Sequence, residues 1–187
     1  MRAFLILTLT IGFSAFAPGF FCLILQAETQ TPETTPELKR YYFKEELFSI
    51  EFPPDWEIKP ERRSAYSPKE NDKDVFREYV DVDINHLVAL MEAENDVEKF
   101  FNRTVARSFK HYDRFQELER GKTKVAYQDA IWVIFSYQPT SVHQYKKLVY
   151  TFLKGERGYI VYCESTPEQF DEYKNQFEKI VQSFRFE

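Results

Sequence analysis

The sequence predicts an α+β fold: a single domain in which an antiparallel β-sheet is sandwiched between helices. Three stretches carry that expectation. Over 131–137, Ile131, Val133 and Phe135 alternate with Trp132 and Ile134, so both faces of the strand are apolar. Such a strand belongs in the middle of a sheet covered on each side. Over 148–163 the pattern repeats, with Leu148, Tyr150 and Phe152 on one face and Val149 and Leu153 on the other. Gly155 and Gly158 supply the positive φ values of a tight connection, and 159–163 returns as the second arm of a hairpin. Finally, Phe170, Tyr173, Phe177, Ile180, Val181 and Phe184 recur at three- and four-residue spacing, the apolar stripe of one amphipathic helix. Thr166 is its expected cap, Pro167 its first residue, and Gln169 the closing member of a capping box.

From the start of the chain, Arg2 precedes an apolar run over 3–27 with no acidic residue before Glu28. That is the pattern of an export signal, and Ala27 is an acceptable last residue for cleavage. The run also exceeds the roughly 20 residues that span a bilayer, so retention as an anchor stays open. Lipid attachment at Cys22 calls for a small preceding residue, whereas Phe21 stands there. Residues 1–27 are therefore expected to be a signal peptide or N-terminal anchor. Residues 28–39 are expected to be a Thr/Pro/Glu-rich tether, and 40–187 the folded domain. The domain is expected to be exported, periplasmic or otherwise extracytoplasmic, and membrane-tethered if the anchor stays.

Within the domain, 48–52 alternates cleanly and stops at Pro53-Pro54, a strand before a turn, with Trp56 expected over the sheet end. Residues 59–74 read as a charged loop containing a short strand at 64–67. Val80, Val82 and Ile84 alternate with Asp81 and Asp83, giving a strand with a polar outer side. Asn95 caps a helix, with Glu98 at the capping-box position and Val97, Phe100, Phe101, Val105, Phe109 and Tyr112 as its stripe. One helix is thus available for each sheet face. Residues 115–125, interrupted by Gly121, read as a weaker strand or strand pair.

The chain holds 25 Lys and Arg against 30 Asp and Glu, a formal charge of −5. Since 3–27 is uncharged, the acidity belongs to the exported part, and nucleic acid is not an expected partner. The many Phe and Tyr residues fall on core periodicities. Removal of the signal leaves Cys163 alone, so no internal disulfide can form. Its alternation with apolar neighbours marks it as a buried structural thiol.

No catalytic, cofactor or metal residue is assigned. Asp81, Asp83 and Asn85 followed by Glu92 have the spacing of a calcium loop, but His86 stands where that loop needs Gly, and β-branched residues separate the carboxylates. A solvated strand explains them better. His86, His111 and His143 lack metal spacing; His111 beside Asp113 reads as a surface pair at a helix end. His86 and His143 lie near predicted strand ends, where with Asp81 or Asp83 they make a weak zinc or manganese candidate. There is no GxSxG elbow, no supported Cys-His pair and no glycine-rich phosphate cradle. Asn102-Arg103-Thr104 matches a glycosylation sequon but falls inside a helix.

Phe48-Ser49-Ile50-Glu51-Phe52-Pro53-Pro54-Asp55-Trp56 resembles the opening of PsbP-like domains, and Ile180-Val181-Gln182-Ser183-Phe184-Arg185 resembles their close. The order of elements between them also fits, so the resemblance spans most of 42–186. It implies an antiparallel sheet between helices, and relatives that are accessory or interaction proteins rather than enzymes. Some of those relatives are extrinsic subunits or assembly factors of photosystem II, and others are uncharacterised bacterial envelope proteins. Tyr127-Gln128-Asp129-Ala130 departs from the Asn-Gly turn of many relatives, and no family ion-binding histidine maps onto this chain, so the photosynthetic role is not carried over. The expectation is an exported, non-catalytic accessory or binding domain without cofactors, serving a protein partner or membrane complex in the cell envelope. The alternative is a hydrolase or a small-ligand or metal-binding protein with a pocket at the sheet edge around His86, His143 and the Asp81/Asp83 face.

Overall fold

A computed structural model describes residues 37–69, 76–86, 96–140 and 143–187. Its main sheet has seven antiparallel strands in the order β3-β4-β5-β9-β8-β7-β6. These are β3 (Glu57–Lys59), β4 (Ser64–Tyr66), β5 (Tyr79–Asn85), β6 (Asp113–Val125), β7 (Gln128–Gln138), β8 (Tyr145–Lys154) and β9 (Arg157–Ser165). A small second sheet joins β1 (Lys39–Phe43), β2 (Phe48–Phe52) and β10 (Arg185–Phe186) in the order β1-β2-β10. The helices are α1 (Val97–Phe101) and α2 (Arg107–Phe109), joined by a π turn (Asn102–Ala106), and α3 (Phe170–Gln182).

The α+β sandwich predicted from the sequence is what the chain adopts. The apolar faces of β7, β8 and β9 require two coverings, and two cores result. On one side Val80, Ile134, Leu148, Phe152 and Val161 pack against α3 and the small sheet, where Phe48 stacks on Phe184 at 4.8 Å. On the other side Ile131, Val133, Phe135, Val149 and Ile160 pack under Phe100, Phe101, Val105 and Phe109 of the π-containing helix. The α3 stripe buries Phe170, Phe177, Ile180 and Val181 as its spacing requires.

Several local expectations are corrected. The strand at 131–137 extends over the longer β7, covered on both faces as expected and lying between β8 and the edge strand β6. Thr166 does not close a capping box: its hydroxyl meets the Gln169 side chain at 3.4 Å, and α3 begins three residues after Pro167. Trp56 packs on α3, 6.5 Å from Phe177, rather than over the sheet end, since Trp56 N–H bonds back to Pro53 and turns the chain inward. The hairpin turn uses only Gly155 at positive φ; Gly158 lies within the ladder, where any Cβ would collide with the Phe100 ring. Residues 115–125 form one strand, kept continuous by irregularities between 113 and 116 and between 117 and 119. Tyr112 is exposed rather than part of the helix stripe, because α2 ends at Phe109.

The signal or anchor, the tether up to residue 36, Asn95 and Glu92 lie outside the described residues. Asp96 supplies the helix cap, its carboxylate accepting from Lys99 N–H at 2.9 Å. Among the described residues, no helix is long and apolar enough to cross a membrane.

Candidate functional site

The face of the sheet beneath α1 and α2 carries a buried ion pair. Register places Tyr79 of β5, Glu164 of β9 and Lys147 of β8 side by side across three strands. Lys147 and Glu164 are 6% and 4% exposed and form an ion pair. The same carboxylate oxygen, Oε2, accepts from the Tyr137 hydroxyl at 2.5 Å, while Lys147 Nζ donates to the Tyr79 hydroxyl at 3.3 Å. Four rings enclose the ammonium, with centroids 5.1 Å (Phe109), 5.2 Å (Tyr162), 5.4 Å (Tyr137) and 5.6 Å (Tyr79) away. Ring faces carry negative quadrupole density, so the cage and the carboxylate together offset the loss of water around the charge. Burial, then the nearby Glu164 carboxylate, push the Tyr79 and Tyr137 hydroxyls well above the usual phenol range, keeping both neutral.

A second buried carboxylate, Glu78, accepts from Ser67 Oγ at 2.9 Å and Ser165 Oγ at 3.3 Å. Asp81, expected on a polar outer side, is only half exposed because it sits beside Tyr162 on this covered face. Burial, with the Asp83 charge adding to it, raises Asp81 to about 6; Arg63 and Lys147 oppose the rise. Cys163 is fully buried among apolar side chains, and burial pushes its thiol far up. That is the environment of an inert packing thiol.

The histidine candidates do not converge. β5 and β8 both run antiparallel to β9, so His86, just past Asn85, lies at the Gly158 end of the sheet. His143, just before Tyr145, lies at the Ser165 end. The strand length between them removes the zinc or manganese candidate built on both, and the pocket expected to join them. Asp81, Asp83 and Asn85 are paired residue for residue with β9, which is incompatible with a looped cation cradle. Among the described residues no group of three His, Cys, Asp or Glu is placed to hold a metal. His111 is exposed beyond α2. In the sequon, the Thr104 hydroxyl bonds to the Phe100 carbonyl at 2.6 Å within the helix.

Two of the hollows formed by the described residues bear on the expected sites. One, of about 360 Å³, lies at the Ser165 end and is lined by Phe76, His143, Tyr145, Thr166, Pro167 and Glu168. The other, of about 80 Å³, lies between the π turn and β6. Sequence reasoning misses Lys147 and Glu164 because it ends the hairpin arms where polarity begins. The signal is nonetheless present: a two-residue turn at Gly155-Glu156 sets Lys154 opposite Arg157 and hence Lys147 opposite Glu164.

No family model matches the chain, and no curated protein matches it in sequence. Solved structures do share its architecture. The cyanobacterial PsbP (CyanoP) of Synechocystis sp. PCC 6803 is 14% identical with a TM-score of 0.53, covering 84% of this chain and 96% of its own. LpqN, described as involved in cell envelope biogenesis of Mycobacterium tuberculosis, is 9% identical at 0.53, covering 74% and 82%. The Ran-binding protein Mog1p of Saccharomyces cerevisiae is 9% identical at 0.50, covering 81% and 96%. The fold of this chain is accordingly that of the PsbP and Mog1 type, an α+β sandwich with sequences far apart.

Proposed function

We propose that the chain is an exported, non-catalytic accessory domain that binds a protein partner or membrane complex in the cell envelope. The observation that carries this reading is the β6–β7 turn. Val125 pairs with Gln128, leaving Ala126 and Tyr127 as a two-residue loop with φ of 47° and 65°. Turns of this hand favour Asn-Gly, because a Cβ at positive φ costs about 1–2 kcal/mol. Here the strained position projects a tyrosine that is 89% exposed. Strain held in order to place a large aromatic ring in water is the signature of a recognition anchor, and Tyr is enriched among residues that dominate interfaces. The export pattern over 1–27 supports the envelope location. Proteins of this fold described as Ran-binding or as involved in envelope biogenesis support a binding role.

A photoreactive benzoylphenylalanine placed at Tyr127 tests the proposal in intact cells. A discrete heavier adduct is expected from this position and not from the exposed control Glu156. Absence of any adduct, together with turnover of a substrate by the purified chain, sinks the reading.

A further inference from the structure

Residues 97–125, the π-containing helix and β6, hold eight Lys and Arg against four Asp and Glu, a net +4 on a chain of −5. Positive charge is therefore concentrated on one helix and one edge strand of an acidic protein. Between these elements the hollow of about 80 Å³ is walled by Phe101, Val105, Phe109, Phe115, Val133 and Phe135, with Lys110, Glu117 and Arg120 at its rim. Both walls are irregular at this place. The helix widens into the π turn at Asn102–Ala106, and β6 is shifted between 113 and 116 and between 117 and 119, with Arg114 at φ 50°. Inserted residues of this kind recur at functional sites, where they hold apart neighbouring elements that would otherwise close on each other.

We infer that this crevice receives one aliphatic side chain from an acidic segment of a partner protein, an inference that rests on the protein-binding reading above. The volume suits the end of a leucine side chain and is too small for a lipid tail. Arg120 stacks on Phe101 at 4.6 Å and is held by Glu117 through bonds of 2.8 and 3.0 Å, so the rim is ordered before binding. Arg107, Lys110 and Arg114 form no ion pair among the described residues and remain to meet incoming carboxylates. Glu117 among the basic residues of the rim suits a patterned acidic peptide better than a uniformly anionic bilayer.

The test uses the chain as the expressing cell exports it, titrated with the peptide Asp-Glu-Asp-Leu-Glu-Asp-Glu and with the same peptide carrying Ser in place of Leu. The Leu peptide is expected to bind roughly tenfold or more tightly, to weaken with salt, and to shift the NMR signals of Val105, Phe109 and Val133. Ala106→Leu, which fills the hollow, removes the preference for Leu. Lys110→Glu weakens both peptides by a similar factor. Equal binding of the two peptides overturns the inference, as do shifts confined to other residues. Binding to vesicles of 30% phosphatidylserine in phosphatidylcholine without binding to peptide also overturns it, and so does self-association of the chain through this face. If Ala106→Leu fails to fold, the signal shifts in the parent chain decide. A Tyr127 adduct in cells combined with failure of both peptides defeats this inference alone and leaves the broader proposal standing.

Discussion

Lys147 of β8 and Glu164 of β9 are direct cross-strand partners, and their ion pair is closed off from water by Phe109 and three tyrosines. Glu164→Ala leaves the ammonium in the cage with no counter-charge and is expected to destabilise the domain by about 3–5 kcal/mol. The pair Lys147→Met with Glu164→Leu removes both charges and is expected to stay close to the parent or exceed it. Urea unfolding of the parent and both variants measures the difference.

Asp81 gives a pH dependence of known sign. Its folded value of about 6 lies above the ordinary value of 3.8, so the fold prefers the protonated acid. The stabilisation is complete below about 3.8 and is lost as pH rises through about 6. Asp81→Asn is expected to lack this loss, gaining on the parent between pH 4 and 7. Melting temperatures of the two proteins across that range check it; parallel curves refute the assignment.

At Gly158 the ring of Phe100 occupies the space of a side chain. Gly158→Ala is expected to cost about 1–3 kcal/mol by overpacking, and Phe100→Leu in the same chain to recover some of it. A double-mutant cycle by denaturant unfolding reads the coupling directly. Additive losses would mean the two residues are not in contact.

Tyr127→Gly relieves the left-handed strain at the β6–β7 turn and is expected to stabilise the domain by about 1 kcal/mol. The same substitution abolishes the partner adduct on the proposed function. A change that improves the melt and removes binding separates recognition from folding; a destabilised variant would show the ring is needed for packing.

Phe177 is fully buried between Trp56, Phe170 and Tyr173. Phe177→Ala is expected to cost about 3–5 kcal/mol, read as a lowered thermal midpoint. An unchanged midpoint would mean that α3 is not docked on the sheet.

Much of this architecture is legible in the sequence because period-two and period-3.6 patterns report burial directly. Ile131, Val133 and Phe135 announce a covered strand, and Phe170 to Val181 announce the helix that covers one side of the sheet. What is not legible depends on pairing across strands. Lys147 and Glu164 look like surface residues individually and become a buried pair only once the turn at Gly155 fixes their register. Likewise Asp81 has the alternation of a solvent-facing residue, but its face lies under a helix whose position no local pattern encodes. His86 and His143 look able to meet because strand ends are legible in one dimension, while the direction of each strand in the sheet is not.

The small sheet joins the two ends of the domain. Glu51 N–H bonds to the Ser183 hydroxyl at 2.7 Å across 132 residues of chain, and Phe186 pairs with Phe48. Synthesis at about 5–20 residues per second makes the earliest strands wait on the order of ten seconds for their closing neighbour. β2 must therefore remain unpaired on that edge until residues 185–186 have been made. Deleting 185–187 should lengthen that wait without limit, turning a transient edge into a permanent one.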